Sequence, residues 1–141
     1  MQIFGPQETD PQETRAALVP EMVSRLVKLG AKVSVESGLG DRAFRPDKAY
    51  EEAGATISKD RMRSLGDADI VFRVGKPPLP EVDALKIGAI HLSFLDPFNE
   101  RPLIERFASR DVTSVSLEMM PRTTLAQKMD ALSSQASLAG Y

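Results

Sequence analysis

Arg122, Gln127, Asp130 and Ser133 fall within twelve residues. A guanidinium only donates hydrogen bonds, an ionised carboxylate only accepts them, and an amide or hydroxyl does both. Such a set suits a planar primary carboxamide, whose carbonyl takes a donor and whose NH2 needs acceptors. The same residues also fit an ordinary solvated loop before a helix, with Arg122 and Asp130 paired to each other. On spacing alone that simpler reading is preferred. On the ligand reading, fixing the carboxamide of a nicotinamide ring would fix where its hydride points.

Other residues are weighed in the same way. His91 lies between Ile90 and Leu92 in an apolar run. A histidine there can be a general base, but a structural role fits its surroundings better. Asp96 ends that run, where it can serve a site or initiate the Asp96-Pro97 turn. Arg15, just before a helical segment, can clamp a carboxylate or phosphate. An ion pair within the protein is the plainer reading. Gly38-Leu39-Gly40-Asp41-Arg42-Ala43 matches G-x-G-x-x-A, a pattern that places phosphates at a helix start. Pro46 delays the next helix, so a tight turn is expected instead.

Composition narrows the classes of chemistry. The 141 residues carry a net charge of -2, no Cys and one His. Thiolate chemistry and disulfides are excluded, and a multi-histidine metal site cannot be built. No metal ligand set and no acid/base catalyst is assigned. The weak charge gives no field toward nucleic acid, and no nucleic-acid partner is expected. The longest apolar run, about 87–95, is far below the roughly 20 residues that span a bilayer. The expected location is the cytoplasm.

The elements that must position these residues alternate along the chain. Apolar runs predict strands over Gln2–Phe4, Lys32–Glu36, Asp69–Val74, Ala89–Phe94 and Thr113–Leu117. Helices are expected over Pro20–Leu29, Asp47–Ala53, Arg61–Leu65, Asn99–Ser109 and Thr124–Ala139. Pro20 suits a first turn and Gly30 a helix stop, and Asn99 is a candidate cap. Lys76-Pro77-Pro78-Leu79-Pro80 reads as a stiff loop, its prolines excluding helix and central strand. The fold class is thus α/β: three layers, a mostly parallel sheet of about five strands flanked by helices, flavodoxin-like or Rossmann-like. Ligands in such sheets sit beyond the carboxyl ends of the strands. The loops there are 6–11, 38–43, 75–80, 96–100 and 118–127.

Three tracts resemble a known family. They are Glu13-Thr14-Arg15-Ala16-Ala17-Leu18-Val19-Pro20, the run Phe44-x-x-Asp47-x-x-Tyr50-x-x-Ala53-Gly54-Ala55, and Met120 through Ala139-Gly140-Tyr141. Together they are similar to the proton-translocating NAD(P) transhydrogenase alpha subunit, in the N-terminal domain that it shares with alanine dehydrogenases. The resemblance implies that Arg122, Gln127, Asp130 and Ser133 line the nicotinamide end of an NAD(H) site. It implies hydride transfer to NADP(H) bound on a partner subunit, with Si/Re specificity and coupled to proton translocation. No side chain need act as acid or base in that step.

The resemblance also sets expectations for organisation. Residues 1–125 form the N-terminal α/β domain, and 126–141 begin an interdomain helix. That helix leads to an NAD-binding Rossmann domain which this chain lacks, so the chain alone is expected to be inactive. Partners implied are the rest of the alpha subunit, the beta subunit, the membrane domain and a second copy in a homodimer. The protein would then lie peripheral to the inner membrane through partner subunits. Met129, Leu132, Ala136 and Ala139 recur at helical spacing and are expected to lie exposed in this chain. Alanine dehydrogenases place a substrate-binding Lys and a catalytic His where this chain has Gly75 and Asp96. An alanine dehydrogenase-like domain is the alternative, and a non-catalytic assembly module the third reading.

Overall fold

A computed structural model of the chain describes residues 1–121 and 123–140, without the side chains of 128 and 132. Six strands form one parallel sheet in the order β3-β2-β1-β4-β5-β6. They are β1 (Gln2–Gly5), β2 (Lys32–Glu36), β3 (Thr56–Ser58), β4 (Ile70–Phe72), β5 (Ile90–Ser93) and β6 (Thr113–Ser116). The helices are α1 (Pro20–Lys28), α2 (Asp47–Glu52), α3 (Arg61–Asp67), α4 (Leu79–Ala84), α5 (Arg101–Ser109) and α6 (Ala131–Ala139). The order reverses between β1 and β4, the switch point of a doubly wound sheet. The α/β class is therefore observed, with one more strand than the apolar runs suggest.

Alternation along β1 divides the core. Ile3 and Phe4 are both buried and face opposite sides. Ile3 joins Val23 of α1 and Tyr50 of α2. Phe4 joins Leu65 of α3, Val82 of α4 and Phe107 of α5. The two clusters make the outer layers adhere to the sheet through the hydrophobic effect.

Local chemistry explains where helices begin and end. Pro20 opens α1, where its missing N–H is not needed. After α1, Gly30 has φ +87°, its N–H donates to Val27 O, and the Ala31 N–H donates to Leu26 O. These two bonds form a Schellman stop. The same paired bonds end α5, where Asp111 takes φ +54°.

Four expectations are corrected. Thr56–Ser58 is a strand that is too short and polar to show an apolar run. Leu79–Ala84 is helical despite Pro80, because that proline lies in the first turn. The cap of α5 is Glu100, while Asn99 donates to Asp96 Oδ1 at 2.8 Å. The helix expected over 124–139 is divided: a 3-10 turn spans Gln127–Met129, and Asp130 then caps α6.

Candidate functional site

Two polar clusters occupy the carboxyl edge of the sheet. The first is buried at the β1–β4 switch point. The chain leaving β1 turns Glu8 inward, and its carboxylate accepts from the N–H groups of Val74 at 2.7 Å and Gly75 at 3.0 Å. Arg73, whose side chain is 0% exposed, donates to Glu81 and lies 3.9 Å from Glu8. Arg61 continues the network, reaching Glu36 at 2.8 Å, Glu81 at 2.7 Å and the Gln7 carbonyl at 2.9 Å. Burial opposes the Arg61 charge, but the bonds to Glu36 and Glu81 win and raise its pKa. Buried charges need such partners. Their partners here are one another, so the network closes the crevice rather than opening it to a ligand.

Beside this network lies a cleft of about 560 Å³ lined by Glu8, Thr9, Gly75, Lys76, Phe94, Asp96 and Glu118, among others. Gly75 and Asp96 therefore share one cavity. Lys76 is held by Glu100. Asp96 takes φ +51°, and its carbonyl accepts from the Asn99 and Glu100 N–H groups. Its N–H donates to Glu118. Burial raises the Glu118 pKa, but bonds from Ser116 and the Asp96 backbone outweigh this and lower it. Asp96 thus shapes the turn and also borders the cavity.

The second cluster is exposed. A cleft of about 370 Å³ is lined by Thr123, Thr124, Gln127, Asp130 and Ser133. Three of the four sequence-predicted site residues, Gln127, Asp130 and Ser133, are brought together there. Arg122 lies outside the described residues. Asp130 Oδ1 accepts from the Ser133 N–H at 3.0 Å, and Oδ2 accepts from Ser133 Oγ at 2.5 Å. This is an N-cap that satisfies an otherwise orphan donor of α6. The sequence signal for it was an Asp three residues before a Ser. Met129 is 54% exposed, and Ala136 and Ala139 are exposed as expected. The side chain of 132 lies outside the described residues.

The remaining candidates take structural places. His91 is buried, with Nε2 3.1 Å from Ser93 Oγ and its ring 5.1 Å from Phe107. Burial, aided by the Arg73 charge, lowers its pKa to about 3. It is neutral and distant from any cleft chemistry that would need a proton near neutrality. Arg15 pairs with Glu13 at 2.6 Å, as the ion-pair reading holds. The Gly38 turn spends its donors internally: Gly38 N–H goes to Asp47, and Ala43 N–H to Gly40 O. A Cβ on Gly40 would stand 2.4 Å from Arg45 O and 2.6 Å from Tyr50 Oη. Its glycine serves close packing.

Comparison with known proteins agrees with this architecture. Residues 5–139 match the family model for the alanine dehydrogenase/PNT N-terminal domain. All of the chain aligns with 38% of an NAD(P) transhydrogenase subunit alpha chain from Rhodospirillum rubrum, at 42% identity. The chain therefore spans little more than a third of that relative. A solved transhydrogenase from Sinorhizobium meliloti superposes over the whole chain and 42% of its own length, at TM-score 0.94 and 38% identity. Alanine dehydrogenase from Bacillus subtilis is 35% identical over 84% of this chain and 31% of its own length.

Proposed function

The chain belongs to the alanine dehydrogenase/PNT N-terminal domain family, and on that premise we propose that it forms the N-terminal portion of a transhydrogenase alpha subunit. In this reading it supplies the nicotinamide-facing wall of an NAD(H) site. The observation that supports it is the exposed polar cleft of Gln127, Asp130 and Ser133 beyond the last strand. Its donor set fits a carboxamide: amide and hydroxyl groups can serve either end of it, while a carboxylate can accept from NH2. When bound, the nicotinamide supplies the hydride. The residues of this chain orient the ring and need hold no proton.

The rest of the alpha subunit would hold the nucleotide phosphates. A beta subunit and membrane domain would hold NADP(H) and couple transfer, of Si/Re specificity, to proton translocation. Two copies would pair as a homodimer. No helix among the described residues is long and apolar enough to cross a membrane. The protein would meet the inner membrane from the cytoplasm, through those partners. An alanine dehydrogenase-like activity is less well supported: Gly75 offers no side chain to anchor a substrate, and Asp96 is tied into a turn.

The test uses the complete subunit with its NADP-binding partner. Arg122→Ala or Gln127→Ala should slow hydride transfer on the order of tenfold, through lost orientation. NADH affinity should change much less. Wild-type transfer rates in both variants would overturn the nicotinamide role.

A further inference from the structure

The helix that carries the Asp130–Ser133 cap is lightly held. From residue 133 to 139 every position of α6 is exposed, and Ala131 is half-buried. A helix with so little buried surface is not fixed by packing alone. Its side-chain link to the sheet domain comes from far away in sequence: Arg15 Nη1 donates to Gln135 Oε1 at 3.5 Å, across 120 positions. That contact is long, and it matters because α6 has few others.

Arg15 is itself held still. Its Nε and Nη2 donate to the two oxygens of Glu13 at 2.8 and 2.6 Å. The guanidinium carbon lies 6.0 Å from the centre of the Phe94 ring. Glu13 is anchored in turn, because Arg42 Nη1 donates to the carbonyls of Asp10 and Glu13. The bond from Arg15 keeps the Glu13 carboxyl below its ordinary pKa, so the pair stays charged near neutrality. A planar guanidinium can hold a carboxylate with two donors and still present a third.

Gln135 and Ala131 are one turn apart and line the same cleft of about 330 Å³ with Arg15 and Phe94. A contact on this face resists rotation of α6 about its axis. The cap residues Asp130 and Ser133 turn with the helix. We propose that Arg15 is a positioning residue: by holding Gln135 it sets the rotation of α6 and so the aim of the Gln127–Asp130–Ser133 cleft. The functional half of this inference rests on the nicotinamide reading; the structural half does not.

The chain has no Cys, so two introduced cysteines can be labelled selectively. Spin labels at Ser137→Cys and Lys48→Cys, both exposed, report the distance from α6 to α2 in the full chain. One narrow distribution is expected. Arg15→Ala and Gln135→Ala should each broaden it, and the double variant should be no broader than either alone. Gln135→Glu, which offers Arg15 a charged partner, should keep it narrow. Gln135 is exposed, so its variants test the link even where Arg15→Ala fails to fold.

In the complete subunit with its NADP-binding partner, Gln135→Ala should lower kcat for hydride transfer several-fold, with KM for NADH within about twofold. An unchanged distance distribution in Gln135→Ala would overturn the proposal. So would an unchanged kcat, or a fall in NADH affinity as large as the fall in kcat. A broadened distribution alongside wild-type transfer in Arg122→Ala and Gln127→Ala would remove the nicotinamide reading and leave the helix link standing.

Discussion

The two polar clusters at the carboxyl edge use similar residue types to opposite ends. Glu8, Glu36, Arg61, Arg73 and Glu81 are buried or half-buried and bind one another. Thr123, Thr124, Gln127 and Ser133 are exposed around the half-buried Asp130 and line a cleft. What separates them is solvent. A buried charge is costly unless its partners are built in, so the first cluster is complete in itself. An exposed group carries no such penalty, so the second can keep polar surface turned outward. In this domain the sheet's own switch point is closed by ionic contacts, and the candidate ligand surface is displaced onto the segment after β6.

The sharpest way to break this contrast is to remove one member of the buried network. Arg73→Met leaves Glu8 and Glu81 without their cation. The expected loss is about 3–5 kcal/mol, as for other broken buried pairs. Urea unfolding followed by circular dichroism measures it. A loss near that of a surface ion pair, below about 1 kcal/mol, would show that the network is no more structural than the exposed cluster.

A smaller effect should come from His91, which belongs to the sheet body but not to the ionic network. Its folded pKa, about 3, lies below the ordinary value of 6.5. Between those values the unfolded chain binds a proton that the folded chain does not. Stability from this group is therefore fully present above pH 6.5 and falls as pH drops, by about 1.4 kcal/mol per pH unit. His91→Phe should flatten that slope between pH 6 and 4, beside the Phe107 ring that it would meet. An identical pH profile in the two proteins would remove His91 as the titrating group.

The same contrast decides what could be read from sequence. Helices α1 and α5 were legible because each buries one apolar stripe: Val23 in the first, Leu103 and Phe107 in the second. The exposed cluster was legible because its residues are close in sequence. The buried network was not, since its five members are spread from Glu8 to Glu81 and only the sheet order assembles them. One signal was present: Arg73 interrupts an apolar run expected to be a strand, and a charge there requires a partner. Strand β3 and helix α4 escaped for local reasons, a polar edge of three residues and a proline in a first turn. The split at Asp130 escaped because the apolar spacing continues across it.

That split yields the smallest predicted effect and separates two roles of one residue. Asp130 caps α6 through Ser133, and it borders the candidate nicotinamide cleft. Asp130→Ala removes both functions. Loss of the cap should cost about 1 kcal/mol, seen as faster amide exchange in α6 while the urea midpoint of the sheet domain stays fixed. Asp130→Asn keeps an oxygen that can cap as well as Asp does, but removes the charge. Amide exchange in α6 should then return to the wild-type rate. If hydride transfer in the complete subunit also returns, Asp130 acts only through the helix. If transfer stays slow while exchange is normal, the carboxylate itself serves the cleft, and the exposed cluster differs from the buried one in function as well as in burial.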